Sequence, residues 1–231
     1  MEAIILAGGK AERLGDAAGG RPKALVPVGG RPLAAYQVAR LARAGVGRVI
    51  VSCAAGQERL FEDELAGLGS DVVAAGEPER LGRGGAIRFA AGRRREDGVL
   101  LALNGDELLD VDFPALLAAH AASSAAATIT VARPPSPFGV VELGDGDRVT
   151  GFREGGRIPY WVNCGVYALS PEALQRFPEK GDHEQTTFPL LAGEGRLHAY
   201  RHEGVWLTVN TAKDLRVAEE RVAGDPGWLD A

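Results

Sequence analysis

The chain has 231 residues, of which 45% are hydrophobic and 25% charged, with a formal net charge of -5. That is enough chain for one well-buried α/β domain, and an acidic balance without a long basic run excludes nucleic acid and anionic membranes as expected partners. Cys53 and Cys164 stand far apart in apolar runs, without CxxC spacing; this excludes a zinc ribbon or disulfide scaffold and predicts two small core residues.

Residues 3–7 predict a strand and 32–44 a helix, stopped by the glycines at 45 and 47. Strands are predicted at 48–53, 71–75 and 99–103, with helices at 57–68 and 84–92 between them. Repeated β-α alternation implies a mostly parallel sheet covered on both faces, with ligands at the carboxyl ends of its strands. The second half changes texture: 127–132, 139–143, 148–152 and 161–169 read as strands of a mixed sheet, separated by turn clusters at 134–137, 144–147 and 155–156. Short helices are expected at 171–176 and 188–193, and a last one at 211–222. Arg93, Arg94 and Arg95 read as a solvated helix end, and His120, His198 and His202 as surface residues. No basic leader precedes the first apolar run, and the Ala-rich stretch 115–127 is too short and polar to span a bilayer. A cytoplasmic protein is the default expectation, as one domain over 1–231 with no internal repeat or separating linker.

The first block that carries chemistry is Leu6-Ala7-Gly8-Gly9-Lys10-Ala11-Glu12-Arg13-Leu14, followed by Arg21-Pro22-Lys23. A glycine pair directly after a buried strand lets backbone N–H groups approach a polyphosphate, and Arg13 and Lys23 add positive charge. The spacing of Gly8, Gly9 and Gly15 fits neither GxGxxG nor a P-loop. Asp106, in Asn104-Gly105-Asp106, follows an apolar strand, a position suited to holding a divalent cation over phosphates. Asp110 and Asp112 read instead as helix-cap candidates.

The first block resembles the L-A-G-G-x-G-T-R-L…P-K signature of the sugar-phosphate nucleotidyltransferases, with Ala11 and Glu12 in place of the usual Gly and Thr. Glu77-Pro78-Glu79-Arg80-Leu81-Gly82-Arg83-Gly84-Gly85 looks like the family's E-P-L-G-T-G-G, with Arg83 replacing Thr. The resemblance covers nearly the whole chain. It implies a Rossmann-like, mostly parallel mixed sheet flanked by helices. It also implies a Mg²⁺-dependent enzyme that joins a nucleoside triphosphate to a sugar 1-phosphate. By match, Leu6, Ala7, Gly8 and Gly9 wrap the triphosphate and Arg13 and Lys23 neutralise it; Glu77, Gly82, Gly84 and Gly85 meet the base, and Asp106 holds the metal. Residues 1–110 would form the nucleotide half and 111–231 the sugar half.

The second metal ligand is assigned to Asn210, in Val209-Asn210-Thr211, with Thr208 in reserve where many relatives carry Asp; Asn210 also reads as a helix N-cap. On the sugar side the resemblance implies Asn104, Gly139 of Phe138-Gly139-Val140-Val141, Glu154 of Phe152-Arg153-Glu154, and Asn163 of Asn163-Cys164-Gly165. The family's Lys after that Glu is absent, leaving Arg153 or Arg157 to supply its charge. The look of the blocks around Leu6 and Gly84 favours GTP with a mannose- or heptose-type 1-phosphate. UTP, dTTP or CTP enzymes, a molybdenum-cofactor-type nucleotidyltransferase and an inactive regulatory subunit stay open, as does homo-oligomerisation. No role follows for residues 183–188.

Overall fold

The computed structural model describes residues 1–136 and 138–228; Pro137 of the second-half turn cluster and residues 229–231 of the expected domain lie outside the described residues. Seven strands form the central sheet, in the order Leu197–Arg201, Ala127–Ala132, Val162–Leu169, Leu100–Asn104, Glu2–Leu6, Arg48–Ala54, Asp71–Glu77. Glu2–Leu6 pairs in parallel with both Leu100–Asn104 and Arg48–Ala54, and Asp71–Glu77 extends the sheet in parallel. Val162–Leu169 runs antiparallel to both of its neighbours, which makes the sheet mixed.

The strands are apolar because both faces are covered. Side chains alternate between two layers with the period of the pleat. Ile5, Val49, Val51, Leu101 and Leu103 pack with Leu41 of the helix Leu33–Arg43 and Leu116 of the helix Phe113–Ala122. Ile4, Ile50, Leu100 and Tyr167 pack on the other face with Ile87 of the helix Gly82–Ala91 and Phe188 and Leu191 of the helix Thr187–Gly193. Each fully buried Leu or Ile contributes roughly 2–3 kcal/mol. A third cluster joins Leu14, Val26 and Leu33 to Val209 and to Leu215 of the helix Ala212–Ala223. It brings the C-terminal segment beside the loop that follows the first strand.

Four expectations change. Val140–Leu143 and Val149–Arg153 do not join the main sheet; they pair with each other as a separate antiparallel hairpin. The connection between them is so short that it closes the ladder locally, leaving Val141, Leu143, Val149 and Phe152 exposed. The sheet edge is taken instead by Leu197–Arg201, whose His and Arg hide its strand pattern. His120 and His202 are buried, because each finds a polar partner: Thr128 Oγ1 lies 2.9 Å from His120 Nδ1, and Asp110 Oδ1 3.1 Å from His202 Nε2. Arg94 is not solvated, since its guanidinium sits 3.7 Å from the buried carboxylate of Glu2, which also accepts from the backbone N–H groups of Arg95 and Glu96. Among the described residues no helix is long and apolar enough to cross a membrane.

Candidate active site

A cavity of about 610 Å³ opens at the carboxyl edge of the sheet. Its lining runs from Asn104–Glu107 at one end, through Leu6–Gly9, to Glu77–Arg83 at the other. These segments leave strands that stand in the order Leu100–Asn104, Glu2–Leu6, Arg48–Ala54, Asp71–Glu77. Three strand spacings amount to roughly 14 Å, the scale of an extended nucleoside triphosphate.

At the first end, Lys23 Nζ donates to Asp106 Oδ2 at 2.5 Å and to Asn210 Oδ1 at 2.6 Å, and Arg13 Nη2 reaches the same Asn210 oxygen at 3.2 Å. Lys23 is nearly buried, at 8% exposure, so its charge is held by these partners more than by water. It opens the short turn Lys23–Leu25 directly after Pro22. Asp106 is set by the preceding turn, in which Gly105 N donates to Leu6 O at 2.9 Å. Asn210 does not cap the last helix. Thr211 does, in a capping box with Asp214, whose Oδ2 also accepts from Asn210 N at 3.1 Å. The Asn210 side chain is thereby left for the cavity end, while Thr208 pairs across a two-stranded ribbon with Glu107.

Among the described residues no group of three or more His, Cys, Asp or Glu side chains is arranged to hold a metal. Asp106 Oδ2 and Asn210 Oδ1 nevertheless converge on one ammonium nitrogen. A carboxylate and an amide oxygen that already share a point of positive charge fit Mg²⁺, which takes one or two carboxylates and completes its shell with phosphate oxygens and water.

Glu107 was not singled out in the sequence, although it directly follows Asp106. It is 5% exposed and accepts from Trp206 Nε1 at 2.7 Å. Burial, then the neighbouring Asp106 charge, push its carboxyl up to about 8 against the Trp206 donor. Asn104 lines the cavity, and its buried Oδ1 has no hydrogen-bond partner among the described residues. Its amide lies over Gly165 of the adjacent strand, where a Cβ would fall 2.2 Å from Asn104 Nδ2 and φ is +69°. Only glycine meets both conditions.

At the far end, Glu77 accepts from Ser52 Oγ at 2.9 Å and from Leu81 N at 3.2 Å. Gly82 lines the cavity. Gly84 and Gly85 instead donate their N–H groups to Gly181 O, and a Cβ on Gly85 would meet Glu179 O at 2.6 Å. Their smallness serves close packing on residues 178–183. Arg83 forks onto Asp182 at 2.5 and 2.8 Å and onto Glu184 at 2.7 and 2.8 Å. Burial works against the Arg83 charge, but the Asp182 and Glu184 partners outweigh it and raise its pKa. Glu184 Oε1 also accepts from Asn163 Nδ2 at 2.8 Å, and Asn163 Oδ1 accepts from Gly165 N. Residues 182–184 therefore bind the nucleotide-side helix to the strand that carries Asn163, a role invisible in the sequence.

The structure does not bring every expected residue to the cavity. Asn163 is spent on Tyr167, Glu184 and Gly165. Gly139 and Glu154 flank the exposed hairpin, and neither lines the cavity. Arg153 lies 3.9 Å from Glu142 of the hairpin and Arg157 donates to Arg133 O, and neither lines the cavity.

A family model described as nucleotidyl transferase matches residues 2–224. The chain is 30% identical to a mannose-1-phosphate guanylyltransferase of Mycobacterium tuberculosis, over 93% of this chain and 62% of that one. It is 31% identical to a mannose-1-phosphate guanylyltransferase catalytic subunit beta of Danio rerio, over 99% and 70%. The chain thus spans less than two thirds of the Mycobacterium relative's length. The fold is shared with HddC from Yersinia pseudotuberculosis, at TM-score 0.74 and 23% identity over 95% of this chain and 98% of that one. The same protein has been solved complexed with GMP-PN.

Proposed function

The chain belongs to the nucleotidyl transferase family, and from that premise we propose that it joins a nucleoside triphosphate to a sugar 1-phosphate and releases pyrophosphate. The observation that carries this is the convergence of Lys23, Asp106 and Asn210 at one end of a nucleotide-sized trough, beside the unpartnered Asn104 oxygen. The names of the guanylyltransferase relatives support GTP and a mannose-type 1-phosphate as substrates. Most nucleotide contacts fall to residues 1–110 and most sugar contacts to 111–231, with Asn104 reaching the sugar from the first half and Asn210 the metal from the second.

A sugar 1-phosphate is already an anion at neutral pH and needs no general base. It needs relief from charge repulsion and in-line alignment. One of its phosphate oxygens forms a bond to the α-phosphorus while the α-phosphorus–oxygen bond to the β-phosphate breaks, and pyrophosphate leaves with the electron pair. Lys23 neutralises charge at the reacting phosphorus, and Arg13 with the amides of Gly8 and Gly9 holds the departing pyrophosphate. Asp106 and Asn210 would hold Mg²⁺, whose charge stabilises the phosphate oxygens. Asn104 Oδ1 accepts from an acceptor-sugar hydroxyl.

The test is pyrophosphate release with Mg²⁺, crossing GTP, UTP, dTTP, CTP and ATP with mannose, heptose and glucose 1-phosphates. GTP with a mannose- or heptose-type phosphate is the expected pair. No release with any pair, from folded protein, contradicts the proposal.

A further inference from the structure

Among the cations that line the cavity, two are already engaged: Lys23 on Asp106 and Asn210, and Arg83 on Asp182 and Glu184. Arg80 lines the same cavity, is exposed, and makes no hydrogen bond or ion pair among the described residues. It stands in the turn between the strand Asp71–Glu77 and the helix Gly82–Ala91. Glu77 is at the start of that turn, with each carboxylate oxygen accepting one bond, so each keeps a free lone pair. The two groups share the Glu77–Arg83 wall of the cavity, where the Glu77 carboxylate also lies against the glycine loop: a Cβ on Gly8 would fall 3.1 Å from Glu77 Oε1. Charge at the reacting phosphate is supplied by Lys23 beside Asp106 and Asn210, which leaves Arg80 for the part of the nucleotide that meets this wall, the base.

A fork of N–H donors beside a carboxylate selects among bases. Guanine offers O6 and N7 as paired acceptors, and N1–H and the 2-amino group as donors on the adjoining edge. Adenine replaces the O6 acceptor by an amino donor, and pyrimidines have no N7. We infer that Arg80 is a specificity-determining residue that grips the O6/N7 edge of guanine, with the free lone pairs of Glu77 taking the N1–H and 2-amino donors. This rests on the proposed nucleotidyl transfer and adds the residue that chooses the base.

The test is equilibrium binding of GTP, 7-deaza-GTP, ATP and UTP to wild type, Arg80→Met and Arg80→Lys, with melting temperature as the folding control. Binding is read without any acceptor sugar, so it is independent of turnover. Wild type binds GTP most tightly and loses affinity for 7-deaza-GTP. Arg80→Met binds GTP roughly ten- to a hundredfold more weakly, melts like wild type and no longer distinguishes GTP from 7-deaza-GTP. Arg80→Lys, lacking the fork, recovers only part of the loss. Arg80→Met with wild-type GTP affinity and a wild-type 7-deaza penalty overturns the inference, and so does a wild type that prefers UTP or ATP. Pyrophosphate release decides the transfer reading separately.

Discussion

Asn210 Oδ1 lies 2.6 Å from Lys23 Nζ, although 187 residues separate them in the chain. The last helix makes this meeting: its cap is taken by Thr211 and its apolar face is seated on Leu14, Val26 and Leu33. Asp106 reaches the same ammonium at 2.5 Å from a third segment. Three remote pieces of chain thus set one charged point at the cavity end.

Removing a member of that point should affect turnover more than folding. Asp106→Ala and Lys23→Met are expected to lower the rate of pyrophosphate release by roughly 10²–10³, with circular dichroism unchanged. Asn210→Ala, losing a neutral ligand, should cost less. Chelation by EDTA should abolish release, and added Mg²⁺ should restore it. Near-full activity of Asp106→Ala would contradict the metal assignment.

Glu184 holds Arg83 and Asn163 on one carboxylate. Glu184→Ala leaves both donors short of a partner and should destabilise the fold by about 1–3 kcal/mol. In urea unfolding, the double variant with Arg83→Met should be less damaged than the sum of the single ones, because the partners share a network. Additive losses would show that the two act apart.

Gly165→Ala forces a Cβ onto Asn104 Nδ2 at a backbone φ of +69°. The expected loss is on the order of 2–4 kcal/mol from combined clash and backbone strain. Because Asn104 must move, the KM for the sugar 1-phosphate should rise more than the KM for the triphosphate. Parallel changes in both would place Asn104 outside the sugar contact.

His183 is fully buried among Tyr167, Phe177 and Phe188, and among the described residues neither ring nitrogen has a hydrogen-bond partner. Burial lowers its pKa to about 4, only partly opposed by Asp182. The folded value lies below the unfolded one of about 6.5, so the neutral ring's contribution is whole above pH ~6.5. It drains as pH falls toward 4, at about 1.4 kcal/mol per pH unit. His183→Phe should therefore unfold with a flatter pH dependence than wild type over that window. Identical slopes for the two proteins would contradict this.

The sheet was legible because parallel strands buried on both faces read as short apolar runs, as at residues 48–53 and 99–103. The strand ends were legible because glycines and charges interrupt those runs. What the sequence hid is long-range pairing without local spacing. Arg83 meets Glu184 across 101 residues, and nothing in His183-Glu184-Gln185 announces that contact. Burial of His120 and His202 was hidden for the same reason, since each depends on a partner from another element. The hairpin at 140–153 carries Val140, Val141, Leu143, Val149 and Phe152, and this short apolar pattern alone placed it in the sheet.

The most direct test of nucleotidyl transfer is to follow GTP, mannose 1-phosphate, Mg²⁺ and the protein by ³¹P NMR. The triphosphate resonances are expected to disappear while pyrophosphate and the coupled diphosphate pair of a nucleotide sugar grow in equal amounts. Inorganic phosphate with GDP, or an unchanged spectrum from folded protein that binds GTP, would contradict it.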